Sequence, residues 1–187
     1  MGPVAAFLAV VLFACASHAM AADTTEDPMT LGIEAGTGLS RDASDTQLLR
    51  LMARFHPTAS SEPKEEWSNN LALWWEVSLG SWRYEKRGDS RYLLDVGVAP
   101  LLRYSFHKKH GVFVEGGVGV HYLNGLYERG NSRFSTRVQF APHVGVGYRF
   151  SADTGEILLR LQHLSNAGIK QPNPGVEFVL LSVGRAF

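Results

Sequence analysis

One cysteine in 187 residues excludes an internal disulfide framework and a four-cysteine zinc site. Net charge is absent as well. The chain carries 18 Lys and Arg against 18 Asp and Glu, so no basic excess is available to hold nucleic acid through its phosphates. Charged residues at 19% and aromatics at 11% are ordinary levels and argue against wholesale disorder. A mean hydropathy of −0.07, taken as an average, is that of a soluble globule. No apolar run approaches the roughly 20 residues that a membrane-spanning helix needs.

The longest apolar run, Val4 to Ala16, is too short to span a bilayer. Ser17-His18-Ala19-Met20-Ala21-Ala22 follows it, with small residues alternating in the A-x-A manner. Residues 1–21 therefore read as a secretory signal peptide cleaved after Ala21 or Ala19, although the segment before the run has no Lys or Arg. Cleavage after Ala21 removes Cys15 and leaves residues 22–187 without cysteine. An exported chain with no spanning helix is periplasmic, secreted or an outer-membrane β-barrel.

The remaining sequence has the period of strands. Apolar residues alternate with polar or small ones in eight runs: around Leu31–Leu39, Leu49–Phe55, Leu71–Leu79, Tyr92–Tyr104, Val112–Tyr122, Val138–Phe150, Ile157–Leu161 and Val179–Phe187. The number is even, and several runs are long enough to cross hydrocarbon when tilted. The polar parity holds Glu34, Arg50, Arg54, Glu76, Asp95, Arg103, Glu115, Arg137, Arg149 and Arg160, with glycines between them, and also His121 and His143. Opposite charges on several strands suit a narrow lumen filled with ion pairs. The same alternation suits a soluble sandwich or lipocalin with a solvated outer face.

Three features favour the membrane reading. Trp82, Tyr84, Tyr92, Tyr104, Tyr122 and Tyr148 sit near run ends, where barrels place aromatic girdles. The chain ends on Phe187 after an alternating apolar strand, the form of an outer-membrane assembly signal, interrupted by Arg185. The signal peptide supplies the compartment. The expected fold is an all-β, eight-stranded antiparallel transmembrane β-barrel over residues 22–187. Two longer hydrophilic connections, Pro57–Asn69 and Glu128–Arg133, are expected on one rim.

One stretch, His163 to Glu177, departs from the alternation. His163 and Ser165 are two residues apart, so on a strand they share a face, and by parity it is the apolar face of Ile157, Leu159 and Leu161. Glu177 has the parity of Val179, Leu181 and Val183 on the following strand, which pairs back antiparallel. A carboxylate, an imidazole and a hydroxyl thus converge on the outer wall, where unpaired polar groups are costly. A serine hydroxyl becomes a good nucleophile when an imidazole takes its proton and a carboxylate holds the imidazole. The alternative is that His163 and Ser165 only mark the strand's exit into the headgroup zone.

His163-Leu164-Ser165-Asn166-Ala167-Gly168, followed by Lys170-Gln171-Pro172-Asn173, Gly175 and Glu177, resembles the active-site segment of the lipid A 3-O-deacylase family. The likeness is specific over this segment and architectural elsewhere, with Pro174 and Arg185 as departures. It implies an integral outer-membrane esterase that removes the 3-hydroxyacyl chain at the 3 position of lipid A. Ser165 is then the nucleophile, His163 the base and then the acid, and Glu177 the orienting carboxylate. Oxyanion donors would come from Asn166 and Gly168 in the turn and from the Asn173 amide. No cofactor or metal is implied. The implied partners are lipopolysaccharide, outer-membrane lipid and the barrel-assembly machinery, with a homodimer left open and no nucleic acid. Lys108, Lys109, Arg129 and Arg133 are loop cations that could meet lipid A phosphates. The rival readings are a non-catalytic structural or adhesive barrel, an acyltransferase, and a soluble lipocalin-like binder.

Overall fold

The computed structural model of the chain describes residues 29–40, 42–56, 70–107, 110–150 and 155–187. The expected signal peptide lies outside them. Ten strands follow in order: β1 (Met29–Gly38), β2 (Gln47–Phe55), β3 (Leu71–Lys86), β4 (Asp89–Ser105), β5 (Gly111–Leu123), β6 (Glu128–Arg129), β7 (Ser132–Arg133), β8 (Val138–Arg149), β9 (Gly155–Leu164) and β10 (Val176–Ala186). Eight of them form a closed antiparallel barrel in the order β1-β10-β9-β8-β5-β4-β3-β2, and β6 and β7 form a separate short hairpin. Closure of β1 on β10 leaves no unpaired edge, so every barrel strand pairs with a neighbour on both sides. No helix among the described residues is long and apolar enough to cross a membrane; the strands themselves have the length to do so.

Alternation sorts the side chains by face. Val96, Val118, Val144, Leu161 and Val183 stand exposed on the outer wall, flanked by Tyr92 and Tyr122 toward one end and by Tyr148, Phe150 and Phe187 toward the other. Glu34, Arg50, Arg54, Asp95, Arg103 and Arg160 are buried inside. Some of their contacts come directly from register. Glu34 pairs with Arg50, Arg54 with Glu76, and Arg103 with Glu115 as cross-strand neighbours, at 2.8, 2.8 and 2.7 Å. Others exist only because the barrel closes: Arg160 reaches across the lumen to Glu76 at 2.7 Å. His121 and His143 are buried in the lumen as expected, with His121 Nδ1 2.7 Å from Asp95.

The girdle assignment needs correction at two residues. Trp82 and Tyr84 share the inward parity of Trp74, Glu76 and Ser78, and both are buried. They belong to an aromatic plug with Tyr127, Phe134 and Phe178. The Trp82 ring lies 4.8 Å from Phe178 and 5.7 Å from Tyr127. Its indole N–H donates to Asp95 at 2.9 Å, joining the plug to the charged layer. Plug and ion pairs together fill the lumen, so the molecule is a solid scaffold and not a pore.

Two further expectations change. Arg137 precedes β8, is exposed and bonds the Tyr122 hydroxyl, so it is not a lumen charge. Its place is taken by Glu156, which receives Arg54, Arg103 and Arg149. The two long connections are on opposite rims, because up-and-down topology puts the β2–β3 link at the end with both termini and the β5–β8 link at the other. Residues 57–69 themselves lie outside the described residues. So do Lys108 and Lys109.

Candidate active site

The β9–β10 hairpin delivers the three residues read from the sequence to one rim. Register places Glu177 directly opposite His163. Both follow the outward rows, and their side chains are 40% and 48% exposed. His163 Nδ1 lies 2.9 Å from Glu177 Oε1. A carboxylate accepts only, so Nδ1 carries a proton in this contact, and the neutral imidazole that makes it has its lone pair on Nε2. Ser165 follows one residue after β9 ends at Leu164, on the same face as His163. Its backbone makes a bridge with Phe140 through two hydrogen bonds, Ser165 N to Phe140 O at 3.0 Å and Phe140 N to Ser165 O at 2.7 Å. Its hydroxyl has no hydrogen-bond partner among the described residues.

The loop after Ser165 is held by Asn166, which is 1% exposed. Its backbone N–H donates to Asn173 Oδ1 at 2.9 Å, and its own Oδ1 accepts the Gly168 N–H at 3.0 Å. The N–H groups of Asn166 and Gly168 are therefore engaged inside the turn. The Asn173 amide is oriented by the same contact, which leaves its Nδ2 without a partner among the described residues.

Gly175, a member of the sequence motif, makes room for the His163 ring. Its φ is +73°, and a Cβ built on it would stand 2.4 Å from His163 Cε1. The absent side chain is the space occupied by the imidazole. Gly168 also has positive φ, at +81°, but open space beside it. Gly175→Ala is expected to push the ring off Glu177 and lower the reaction rate at least about tenfold, whereas Gly168→Ala carries only backbone strain of about 1 kcal/mol. Initial rates of the two variants, compared at equal amounts of folded protein, check this.

Below the site the outer wall carries an apolar groove of about 760 Å³. Its floor is the small-residue run Ala35-Gly36-Thr37 of β1, flanked by Val179, Leu181 and Leu159 on one side and Leu49 and Tyr92 on the other. Val179 is two residues from Glu177 on the same face, so the groove begins beside the carboxylate. No group of three or more His, Cys, Asp or Glu suited to a metal occurs among the described residues. Arg129 does not stand free for an anion: it is bound to the Asp42 carbonyl and to Asp45.

Comparison with known proteins agrees with the architecture and with the family resemblance. The profile of the lipid A 3-O-deacylase (PagL) family matches residues 47–186. Lipid A deacylase PagL of Bordetella bronchiseptica is 26% identical over 132 residues, covering 67% of this chain and 72% of the relative. Lipid A deacylase PagL of Pseudomonas aeruginosa is 30% identical over 111 residues, covering 59% and 62%. The crystal structure of the outer membrane enzyme PagL superposes with a TM-score of 0.64 at 23% identity, covering 83% of this chain and 99% of that one.

Proposed function

This chain belongs to the lipid A 3-O-deacylase family, and we propose that it removes the ester-linked 3-hydroxyacyl chain from the 3 position of lipid A by a Ser165–His163–Glu177 triad on the outer wall of the barrel. The protein is an integral outer-membrane ester hydrolase. The observation that carries the triad is the 2.9 Å contact between His163 Nδ1 and Glu177 on the outward row that also holds Ser165.

Ser165 Oγ attacks the ester carbonyl while His163 Nε2 takes its proton. Glu177 stabilises the imidazolium that results. Charge develops on the carbonyl oxygen and needs donors at that point. Asn173 Nδ2 is uncommitted and serves this role; the Asn166 and Gly168 N–H groups can join only if the turn's internal bonds rearrange. Collapse of the tetrahedral intermediate expels the sugar alcohol, which takes the proton from His163. Water then enters and adds to the acyl-serine as His163 takes its proton; the C–Oγ bond breaks, His163 returns that proton to Ser165 Oγ, and the free 3-hydroxy acid leaves. The apolar groove beside Glu177 suits the departing acyl chain, because it buries hydrocarbon without leaving the lipid phase. Residues 1–21 direct export, and the barrel-assembly machinery inserts the chain.

Mass spectrometry of lipid A from cells making the protein tests this reading. The expected result is loss of one 3-hydroxyacyl chain. Gain of a chain would identify an acyltransferase, and unchanged lipid A a structural barrel.

A further inference from the structure

Asn166 is the residue after the nucleophile, and its amide is fully used. One Nδ2 hydrogen goes to the Lys170 carbonyl at 2.7 Å and the other to Ser135 Oγ at 2.9 Å. Oδ1 takes the Gly168 N–H, and the backbone carbonyl takes the Ile169 N–H at 3.1 Å. Every partner but one belongs to the β9–β10 hairpin. The exception, Ser135, comes from the β7–β8 segment of the long β5–β8 connection. Its hydroxyl also donates to the Lys170 carbonyl at 2.7 Å, closing a ring of three hydrogen bonds.

Ser135 is fixed from its own side. Phe134 is buried in the aromatic plug against Trp82 and Tyr127, and its N–H donates to the Tyr127 carbonyl at 2.9 Å. Thr136 receives Gln139 Nε2 through its carbonyl at 2.7 Å. The connection is fastened farther back by Tyr127 to Thr46 at 2.6 Å and by Lys86 to Glu128 at 2.5 Å. A rigid path therefore runs from the plug through Ser135 to Asn166, next to Ser165.

We propose that the Ser135 hydroxyl is a positioning group for the reaction: by holding Asn166 it sets the place of Ser165 relative to His163. This rests on Ser165 being the nucleophile. Without the hydroxyl, a buried amide hydrogen loses its acceptor and the Lys170 carbonyl loses a donor, so the turn must shift to recover partners. The hydroxyl lines neither the groove nor the outward row, so its loss is expected to lower the reaction rate and leave substrate binding unchanged.

The test uses the full-length protein in detergent micelles, with Ser135→Val and Ser135→Thr, which match in shape and differ in the hydroxyl, and Ser135→Ala as a third variant. Folding is followed by heat-modifiable gel mobility. Two readouts are kcat and KM for lipid A deacylation and the rate of Ser165 labelling by a fluorophosphonate. Ser135→Val and Ser135→Ala are expected to lose about ten- to a hundredfold in kcat and a similar factor in labelling rate, with KM within about twofold. Ser135→Thr is expected to stay within about threefold of wild type in both. Equal rates for the Val and Thr variants, or a change in KM alone, would overturn the role of Ser135. Wild-type protein that neither reacts with the probe nor releases acid would instead overturn the nucleophile assignment, and this inference with it.

Discussion

Replacing Ser165 with alanine leaves a folded barrel that releases no measurable hydroxy acid. The expected loss is at least about 10⁴-fold in kcat, because an activated nucleophile and its base act as one unit. His163→Ala is expected to lose as much, and the double variant no more than either single one. Glu177→Ala is expected to lose less than either, since the imidazole retains basicity without its carboxylate but not its orientation. Stability should separate cleanly from activity here. The Ser165 hydroxyl has no hydrogen-bond partner among the described residues, so removing it strands nothing and the unfolding midpoint stays put. Rate measurements in micelles and fluorophosphonate labelling, alongside heat-modifiable mobility, check all four variants. A Ser165→Ala protein that still deacylates lipid A would remove the serine from the chemistry.

Arg160→Met is expected to do the opposite: retain the outer-wall site and weaken the scaffold. Arg160 is fully buried and holds Glu76 through both guanidinium ends at 2.9 and 2.7 Å. It also holds Glu115 at 2.8 Å and approaches Glu34 at 3.4 Å. Around it, Arg50, Arg54, Arg103 and Arg149 meet Glu34, Glu76, Asp95, Glu115 and Glu156, so with Arg160 five cations and five carboxylates among the described residues form one connected network in the lumen. Removing one cation leaves an uncompensated carboxylate in a site closed to water. The expected loss is about 3–5 kcal/mol, read from urea or thermal unfolding of the refolded protein. Adding Glu76→Gln to Arg160→Met should recover part of it, because the stranded charge goes too. Removing Arg91, whose pair with Asp89 is exposed on the rim, should change stability by less than about 0.5 kcal/mol. Equal effects at Arg160 and Arg91 would mean that the lumen network carries no special weight.

The two variants probe the two faces of one wall, and the faces differ in how visible they were beforehand. Alternation with period two is a local property. It assigns each strand residue a side without reference to any other strand, which is why Glu34, Arg50 and Asp95 were legible as interior and Val96, Leu161 and Val183 as exterior. The antiparallel return of a short hairpin is nearly as local. It brought Glu177 back to His163, and the observed register agrees. Where the reading erred, the cause was a competing cue. Residue type and a place near a run end point to Trp82 and Tyr84 as girdle residues, whereas their parity with Glu76 puts them inside, and parity decides. Arg137 failed for a different reason: the strand begins one residue later, so its parity had no strand to refer to.

From the sequence alone came an exported chain of eight alternating strands, a charged interior and an apolar exterior, and three polar side chains set among apolar ones. Each of these follows from spacing along a single strand or one hairpin. The tertiary structure decided which charges meet across the lumen, how the β5–β8 connection folds inward to plug it, and which groups hold the reactive loop. Arg160 finds Glu76 only when β1 closes on β10. Gly175 makes room for His163 only through the path its loop takes. Ser135 reaches Asn166 from a different loop. Such contacts join residues distant in the chain, and no local periodicity records them, because they are fixed by the circumference of the closed barrel and the packing of its mouth.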